Sequence, residues 1–174
     1  FMLSFLLCWI IVGSAMAYWL ASAGPCFYQG VFGDARYAPL MERLHTLDQQ
    51  IASIAPAWHL ISLDEQNWLW TAYKDNADNF GAGISAMPSM HVAFAALMAR
   101  GGFALDKRIG WLMTVYAVLI WIASVHLGWH YPIDGIVGAP MGIATWSLAG
   151  WILKRTVLRR SEAAFALPEG ASAV

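Results

Sequence analysis

Residues 2–22, MLSFLLCWIIVGSAMAYWLAS, contain no charged side chain and are long enough to cross a hydrocarbon core of about 30 Å as a helix. No basic segment precedes this run, so it is interpreted as a transmembrane helix rather than a signal peptide. The whole chain of 174 residues has the same bias, because 59% of its residues are hydrophobic and only 12% are charged. This composition excludes an ordinary soluble domain and predicts an all-α integral membrane protein.

Three further apolar segments, at 89–105, 109–129 and 133–153, extend this prediction to a bundle of four transmembrane helices. Residues 1–160 are expected to form one membrane-embedded domain. The small-residue tail at 161–174 has too little apolar periodicity to predict an ordered structure, and we expect it to be flexible. The sequence opens on Phe1 inside an apolar run, so we expect an N-terminal truncation.

The long connection at 23–87 has turn-forming residues at both ends and helix-compatible sequence between them. In MERLHTLDQQIASIAPAWHL, residues 41–60, apolar side chains recur at spacings of three and four, at Met41, Leu44, Leu47, Ile51 and Ile54. This pattern predicts an amphipathic helix that lies at the membrane interface or caps the bundle.

Basic residues concentrate at two points separated by an even number of predicted crossings: Arg100, Lys107 and Arg108, and then Lys154, Arg155, Arg159 and Arg160. Under the positive-inside rule both points face the cytoplasm, so the connection at 23–87 lies outside. We therefore expect a protein of the plasma or inner membrane.

Net charge and cysteine content give no support for a nucleic-acid-binding protein or for a disulfide-linked one. A net charge of −1 without a basic stripe gives no argument for a nucleic-acid partner. Cys8 and Cys26 are separated by about 27 Å along a helix rising roughly 1.5 Å per residue, which does not favour a disulfide between them.

Asp134 stands at the start of a predicted span, and an ionisable group at membrane depth is costly unless it is paired or functional. Its expected partner is His130, because a helical spacing of four places both side chains on one face. A carboxylate that binds one ring nitrogen fixes the tautomer and raises the basicity of the other nitrogen. These two residues therefore predict a histidine nucleophile with an acidic partner.

A second histidine, His91, follows Ser89 at the start of another predicted span, in AMPSMHVAFA at 86–95. The predicted topology brings it to the same membrane face as His130. Ser89 is a good N-cap, and the amides after it form an anion-binding helix end. We therefore predict phosphate binding at Ser89, general-acid catalysis by His91 and in-line phosphoryl transfer through a phosphohistidine at His130.

Two alternatives use the same residues differently. His126, His130 and Asp134 are spaced by four, as in a metal site on one helical face, but Pro132 disfavours a continuous helix through them. No metal or other cofactor is therefore expected. A non-catalytic lipid-binding, transport or scaffold protein could also carry these histidines, and it stays open as the alternative to an enzyme.

Two stretches, GISAMPSMHVAFA at 83–95 and SVHLGWHYPIDGIVGA at 124–139, resemble the paired motifs of the type 2 phosphatidic acid phosphatase (PAP2) superfamily. The PSMH sequence and GPCFY at 24–28 are most similar to its inositol-phosphorylceramide-synthase-like branch. The resemblance implies the helical bundle of PAP2 enzymes and haloperoxidases and a metal-independent lipid phosphatase or headgroup transferase. It also implies that His130 is the nucleophile, Asp134 its partner, His91 the acid and Ser89 a phosphate ligand.

The cationic residues of the superfamily are missing from this chain. Ala123 and Ser124 stand where a serine-arginine pair is usual, and no motif of a lysine leading to Arg-Pro occurs. Because a phosphoryl transition state carries negative charge on three oxygens, other donors are needed. Arg36 and Lys74 are the candidate phosphate-binding cations, with Tyr28 as a candidate hydroxyl donor. The expected partners are a lipid phosphate and the bilayer, and the sequence gives no oligomeric state.

Overall fold

The computed structural model describes residues 1–75 and 84–165, and it describes side chains as far as residue 156. Its helices, in chain order, are α1 Met2–Trp19, α2 Pro25–Phe32, α3 Ala38–Ile54, α4 Ile61–Lys74, α5 Met90–Leu105, α6 Lys107–His126 and α7 Pro132–Phe165. The middle of α1, Trp9–Met16, has π-helical hydrogen bonding. Apart from an isolated bridge between Ala23 and Ser85, the described residues form no strand, so the predicted all-α class is confirmed for them.

Three helices are long and apolar enough to cross a membrane: α1, α6 and the part of α7 at Pro132–Thr156. On α6 the side chains of Trp111, Leu112 and Ile122 are exposed, as expected for a surface that faces lipid. These findings confirm a membrane protein. The fourth predicted span is shorter, because the 16 residues of α5 extend only about 24 Å at 1.5 Å per residue.

The short helix α5 lies at the centre of the bundle. Its Ala93 and Leu97 form the buried core with Cys8 and Val12 of α1. Small side chains let the neighbouring helices approach it closely. At the tight turn into α6, a Cβ on Gly102 would lie 3.1 Å from the Cα of Gly110.

Two glycines four residues apart, Gly138 and Gly142, hold α7 against α5. A Cβ at Gly138 would clash with the backbone oxygen of Ser89, and one at Gly142 would clash with that of Ala93. Small residues at a spacing of four allow such backbone approach between membrane helices, where van der Waals packing replaces the hydrophobic effect. This contact fixes the start of α7 beside the start of α5.

The described part of the connection contains three helices, α2, α3 and α4, where the periodicity predicted one. The predicted amphipathic helix corresponds to α3, in which Leu44 is buried and Ile54 is exposed. The eight residues of α2 run from Pro25 to Phe32, and the next residue, Gly33, closes the helix with a φ of 71° in the left-handed region. In the sequence alone, Pro25 and Gly33 indicate turns, which explains why the sequence analysis did not predict α2.

The last helix continues past the predicted start of the tail at 161 and ends at Phe165. Charged residues after 153 suit the end of a membrane span, but Lys, Arg, Glu and Ala are all good helix formers, so the helix does not stop there. The rest of the predicted tail, 166–174, lies outside the described residues, as does 76–83 of the connection.

Candidate active site

Three chain segments meet at one end of the bundle. The backbone N–H of Ser89 donates to the carbonyl of Asp134 at 3.1 Å, which joins the starts of α5 and α7. The N–H of Ala86 donates to the carbonyl of Ser22 at 2.7 Å, which adds the end of the α1 segment. Together the two bonds bring the segments around Ser22, Ser89 and Asp134 to one place, although these lie far apart in the sequence.

The turn between α6 and α7 positions His130. Gly128 adopts a φ of 77°, and the N–H of His130 then donates to the carbonyl of Ser124 at 3.2 Å. The imidazole is buried, with 8% of the residue exposed. Its Nδ1 lies 2.7 Å from the carbonyl oxygen of Ala86. Because a carbonyl can only accept, Nδ1 carries the proton and Nε2 keeps its lone pair.

The predicted partner of His130, Asp134, lies beside the same nitrogen but is not its closest acceptor. Its Oδ2 is 3.5 Å from Nδ1 of His130 and accepts the N–H of Tyr131 at 2.8 Å. Asp134 lies in the first turn of α7, and Tyr131 is the residue just before that helix. The carboxylate therefore accepts a backbone N–H in the same way as the acid of a capping box. The closest acceptor of Nδ1 is therefore the Ala86 carbonyl, while the carboxylate of Asp134, in a residue only 1% exposed, lies further from it.

The second histidine, His91, lies opposite the first. The ring centroids of His91 and His130 are 6.3 Å apart, and both side chains line a cavity of about 490 Å³. The two rings meet edge to face at an interplanar angle of 63°. The arrangement brings the predicted nucleophile and the predicted proton donor to one cavity.

Ser89 caps α5 as the sequence predicts, since its Oγ accepts the N–H of Val92 at 3.4 Å. It is completely buried and does not line the cavity. The structure therefore shows a capping role at the edge of the site, and phosphate binding by this hydroxyl stays a prediction.

The walls of the cavity come mostly from apolar residues that the sequence analysis did not single out: Trp9, Gly13 and Ala17 of α1, Phe27 of α2, Leu69 of α4, and Trp129. Nothing in their local sequence distinguishes them from lipid-facing or packing residues. No lysine or arginine lines this cavity among the described residues. Because α1 forms one wall, the cavity lies beside a membrane-spanning helix.

The three candidate phosphate ligands lie outside the cavity lining. Arg36 is exposed and pairs with Asp34 at 3.4 Å, and Lys74 is exposed with its Nζ 5.9 Å from the centre of the Trp70 ring. Tyr28 packs edge-on against Tyr37. The structure thus brings together His91, His130 and Asp134, as predicted, but does not bring the three candidate ligands to them.

Tyr131, next to the nucleophile, ties the site to the α1 segment. Its hydroxyl donates to the carbonyl of Ala23 at 3.1 Å, and its ring packs against Tyr37 at 5.7 Å. Burial, reinforced by the neighbouring Tyr37 and Tyr28, raises the pKa of Tyr131 to about 12. The phenol therefore remains protonated and keeps this hydrogen bond at physiological pH.

The three residues of the metal-site alternative do not lie on one continuous helix. His126 ends α6 and Asp134 lies in α7, so the helical spacing of four does not hold across the intervening turn. His126 instead lines a shallow surface pocket with Ile122 and Pro132. Within the described residues, no three His, Cys, Asp or Glu side chains are placed to hold a metal ion.

A family model described as the PAP2 superfamily matches residues 1–148, which is most of the chain. The chain belongs to the PAP2 superfamily. The match includes all three residues of the histidine–histidine–aspartate cluster and indicates a membrane phosphatase-type enzyme. No curated protein matches the chain. No solved structure matches it either.

Proposed function

We propose that this PAP2 protein cleaves or transfers the phosphoryl group of a membrane lipid phosphate or phosphodiester through a phosphohistidine on His130. The observation that carries the proposal is the 2.7 Å contact of Nδ1 with the Ala86 carbonyl, because the neutral tautomer that donates this bond has its lone pair on Nε2. The same cavity holds His91 on its other side. A nucleophile and an acid on opposite sides of one cavity suit in-line displacement.

In the first step, Nε2 of His130 attacks phosphorus and forms an N–P bond. The bond from phosphorus to the leaving oxygen breaks, and that oxygen takes a proton from the protonated His91. In the second step, water or an alcohol attacks the phosphohistidine and gives its proton to His91. The N–P bond breaks and the starting protonation states are restored, so neither step requires a metal ion.

Asp134 stabilises the positive charge that develops on the imidazole as the N–P bond forms. Its carboxylate lies 3.5 Å from Nδ1 and is almost completely buried, so water screens this attraction little. The Ala86 carbonyl adds a second negative dipole at the same nitrogen. Both groups are fixed before the reaction begins and need no reorganisation during it.

The apolar walls of the cavity support a lipid substrate. Trp9, Gly13 and Ala17 of the spanning helix α1 would contact the part of the lipid near its headgroup. Phosphate ligands are then expected from Ser89, from the first amides of α5 and, after movement of the connection, from Arg36, Lys74 or Tyr28. The PSMH and GPCFY sequences support assignment to the inositol-phosphorylceramide-synthase-like branch, in which an alcohol takes the place of water as acceptor.

The proposed topology places this site at the extracytoplasmic face of a plasma or inner membrane. Arg100, Lys107 and Arg108 lie at the ends of α5 and α6 that are remote from the histidines, and basic residues favour the cytoplasmic side. Helix α5 is proposed to complete a fourth crossing together with non-helical residues before it. Non-helical backbone is tolerated at membrane depth when protein surrounds it, and Ala86, Pro88 and Ser89 are buried.

The test is an assay of purified protein against a panel of lipid phosphates and phosphodiesters, with a chelator present. Wild-type protein should release phosphate or transfer the phosphoryl-bearing group, and His130→Ala should abolish turnover without lowering the melting temperature by more than a few degrees. If folded wild-type protein acts on no lipid, or if His130→Ala matches it, the non-catalytic lipid-binding or scaffold alternative replaces the enzyme.

A further inference from the structure

A second cavity, of about 310 Å³, lies among the three helices of the connection. Its polar side chains are Gln29 from α2, His45 from α3, and Gln66 and Asn67 from α4. We call it the connection cavity. Neither the catalytic steps nor the predicted phosphate ligands use these residues.

Gln66, which lines this cavity, has one polar side-chain atom without a hydrogen-bond partner among the described residues. Its Nε2 donates to the carbonyl of Leu127 at 2.9 Å, and because that carbonyl can only accept, the orientation of the amide is fixed. The other atom, Oε1, is buried and has no hydrogen-bond partner among the described residues, while the residue as a whole is 4% exposed. A buried amide oxygen without a donor is costly, so it marks a place where a ligand can donate a hydrogen bond.

The lining of the connection cavity favours an uncharged ligand. Among the described residues, its lining includes no Asp, Glu, Lys or Arg, and burial raises the pKa of the Cys26 thiol to about 12, which keeps that group neutral. The three amide side chains, of Gln29, Gln66 and Asn67, offer both donors and acceptors. The ring of Trp70, which packs closely against Gly30, adds an apolar surface suited to C–H groups.

The connection cavity also adjoins the catalytic one. Phe27 lines both cavities. Gln66 binds the backbone of Leu127, three residues before the nucleophile, and the N–H of Cys26 donates to the carbonyl of Gly128 at 2.9 Å. A ligand bound in the connection cavity would therefore contact residues that hydrogen-bond to the turn that positions His130.

We infer that the connection cavity binds a neutral, hydroxyl-bearing group, which donates a hydrogen bond to Oε1 of Gln66 beside the phosphoryl-transfer site. The source of the hydroxyls is the headgroup of the lipid substrate or a free small polyol that accepts the phosphoryl group. The role in catalysis rests on the proposed function, whereas the binding itself does not.

Binding is tested by saturation-transfer NMR with glycerol and glucose on protein in lipid nanodiscs. Wild type and the inactive His130→Ala should both transfer saturation to these polyols. Asn67→Phe, which fills the cavity from an exposed position of α4, should reduce the transfer at least fivefold, and His45→Phe should do so from α3. Glu65→Ala, next to the cavity on α4 but not lining it, is the matched control and should behave as wild type.

The inference would be overturned if folded wild-type protein transferred no saturation to the polyols. It would also be overturned if Asn67→Phe and His45→Phe both transferred as much saturation as wild type. Because His130→Ala is included, loss of binding is measured separately from loss of chemistry. An inactive wild type that binds polyols contradicts the proposed function alone, and an active wild type that binds none contradicts this inference alone.

The source of the hydroxyls is resolved by turnover. If it is the headgroup, Asn67→Phe should lower kcat/KM at least tenfold for a lipid phosphodiester with a glycerol headgroup, but not for phosphatidate. If it is a free polyol, wild type supplied with glycerol should form glycerol phosphate and Asn67→Phe should not. A variant that changes neither result would show that the cavity does not serve the catalytic site, and the inference would fail.

Discussion

Nδ1 of His130 lies 2.7 Å from the carbonyl oxygen of Ala86, a residue 44 positions earlier in the chain. The contact spans the start of α5 and the turn before α7, so it joins the two sequence motifs through a backbone atom. Asp134 is further away, at 3.5 Å from the same nitrogen. Orientation and charge stabilisation are therefore supplied by different groups, and they can be tested separately.

Replacing the charge of Asp134 should slow chemistry while leaving the fold intact. In Asp134→Asn, the amide oxygen can still accept the N–H of Tyr131, and Ala86 still fixes the tautomer of His130. We expect kcat to fall by roughly 10²- to 10³-fold, the size typical of a lost electrostatic stabiliser. Asp48→Asn is the control, because Asp48 likewise accepts one backbone N–H, from Leu60, but in the connection. Equal kcat values for both variants would contradict the role given to Asp134.

Two helix caps separate a structural role of Ser89 from a catalytic one. Ser89 caps α5 at the site, and Asp106 caps α6 at the opposite end of α5 by accepting the N–H of Arg108 at 2.7 Å. Each Ala substitution should lower the free energy of unfolding by about 1 kcal/mol. Only Ser89→Ala should also lower kcat/KM, by about tenfold, measured in matched micelles. A similar loss in Asp106→Ala would show that the effect is only one of stability.

The close approach of α7 to α5 should make Gly142 intolerant of a methyl group. Gly142→Ala places a Cβ against the backbone oxygen of Ala93, which cannot move without shifting α5. We expect a loss of about 1–3 kcal/mol, seen as a lower melting temperature in detergent. Gly150→Ala is the control on the same helix, since a Cβ there meets nothing within 4 Å. Equal melting temperatures for Gly142→Ala and Gly150→Ala would contradict this close packing of α7 against α5.

Stability should fall in alkali because of Tyr131. Its pKa in the folded protein is about 12, raised by burial and by the nearby tyrosines, against about 10 in an unfolded chain. The neutral phenol is therefore favoured by folding, and this contribution is present below pH 10 and lost as the pH rises toward 12.

The measurement for Tyr131 is the melting temperature between pH 8 and 11.5. We expect Tyr131→Phe to melt lower than wild type at pH 8, because the bond to Ala23 is gone, but to lose less stability above pH 10. Tyr18→Phe, at an exposed position of α1, should keep the wild-type slope. Parallel curves for wild type and Tyr131→Phe would contradict the assignment.

Long apolar runs made α1, α6 and α7 predictable. A helix that crosses lipid forms all its backbone hydrogen bonds internally and needs apolar side chains along its length, so its sequence is a continuous hydrophobic stretch. The position of α5 was not predictable in the same way. Its alanines and glycines are as apolar as lipid-facing residues, and only packing shows that Ala93 and Leu97 are central. The short helices α2 and α4 were missed because eight to fourteen residues around turn formers give little periodicity.

The site was partly predictable for a related reason. Ionisable side chains are rare at membrane depth, so His91, His130 and Asp134 stood out, and topology brought them to one face. The acceptor at Ala86 is a backbone atom and leaves no trace in the choice of side chain. Phe27 and Trp9, which wall the cavity, are indistinguishable in sequence from packing residues.

The phosphohistidine itself is the most direct test. Wild-type protein is mixed with a ³²P-labelled lipid phosphate, quenched in alkaline denaturant within milliseconds to seconds, and digested for mass spectrometry of the peptide that contains His130. The account predicts an acid-labile, alkali-stable phosphoryl group on His130 that forms and decays at rates consistent with turnover and is absent from His130→Ala. Turnover of the same lipid with no label on His130, or with label on another residue, would contradict the central claim.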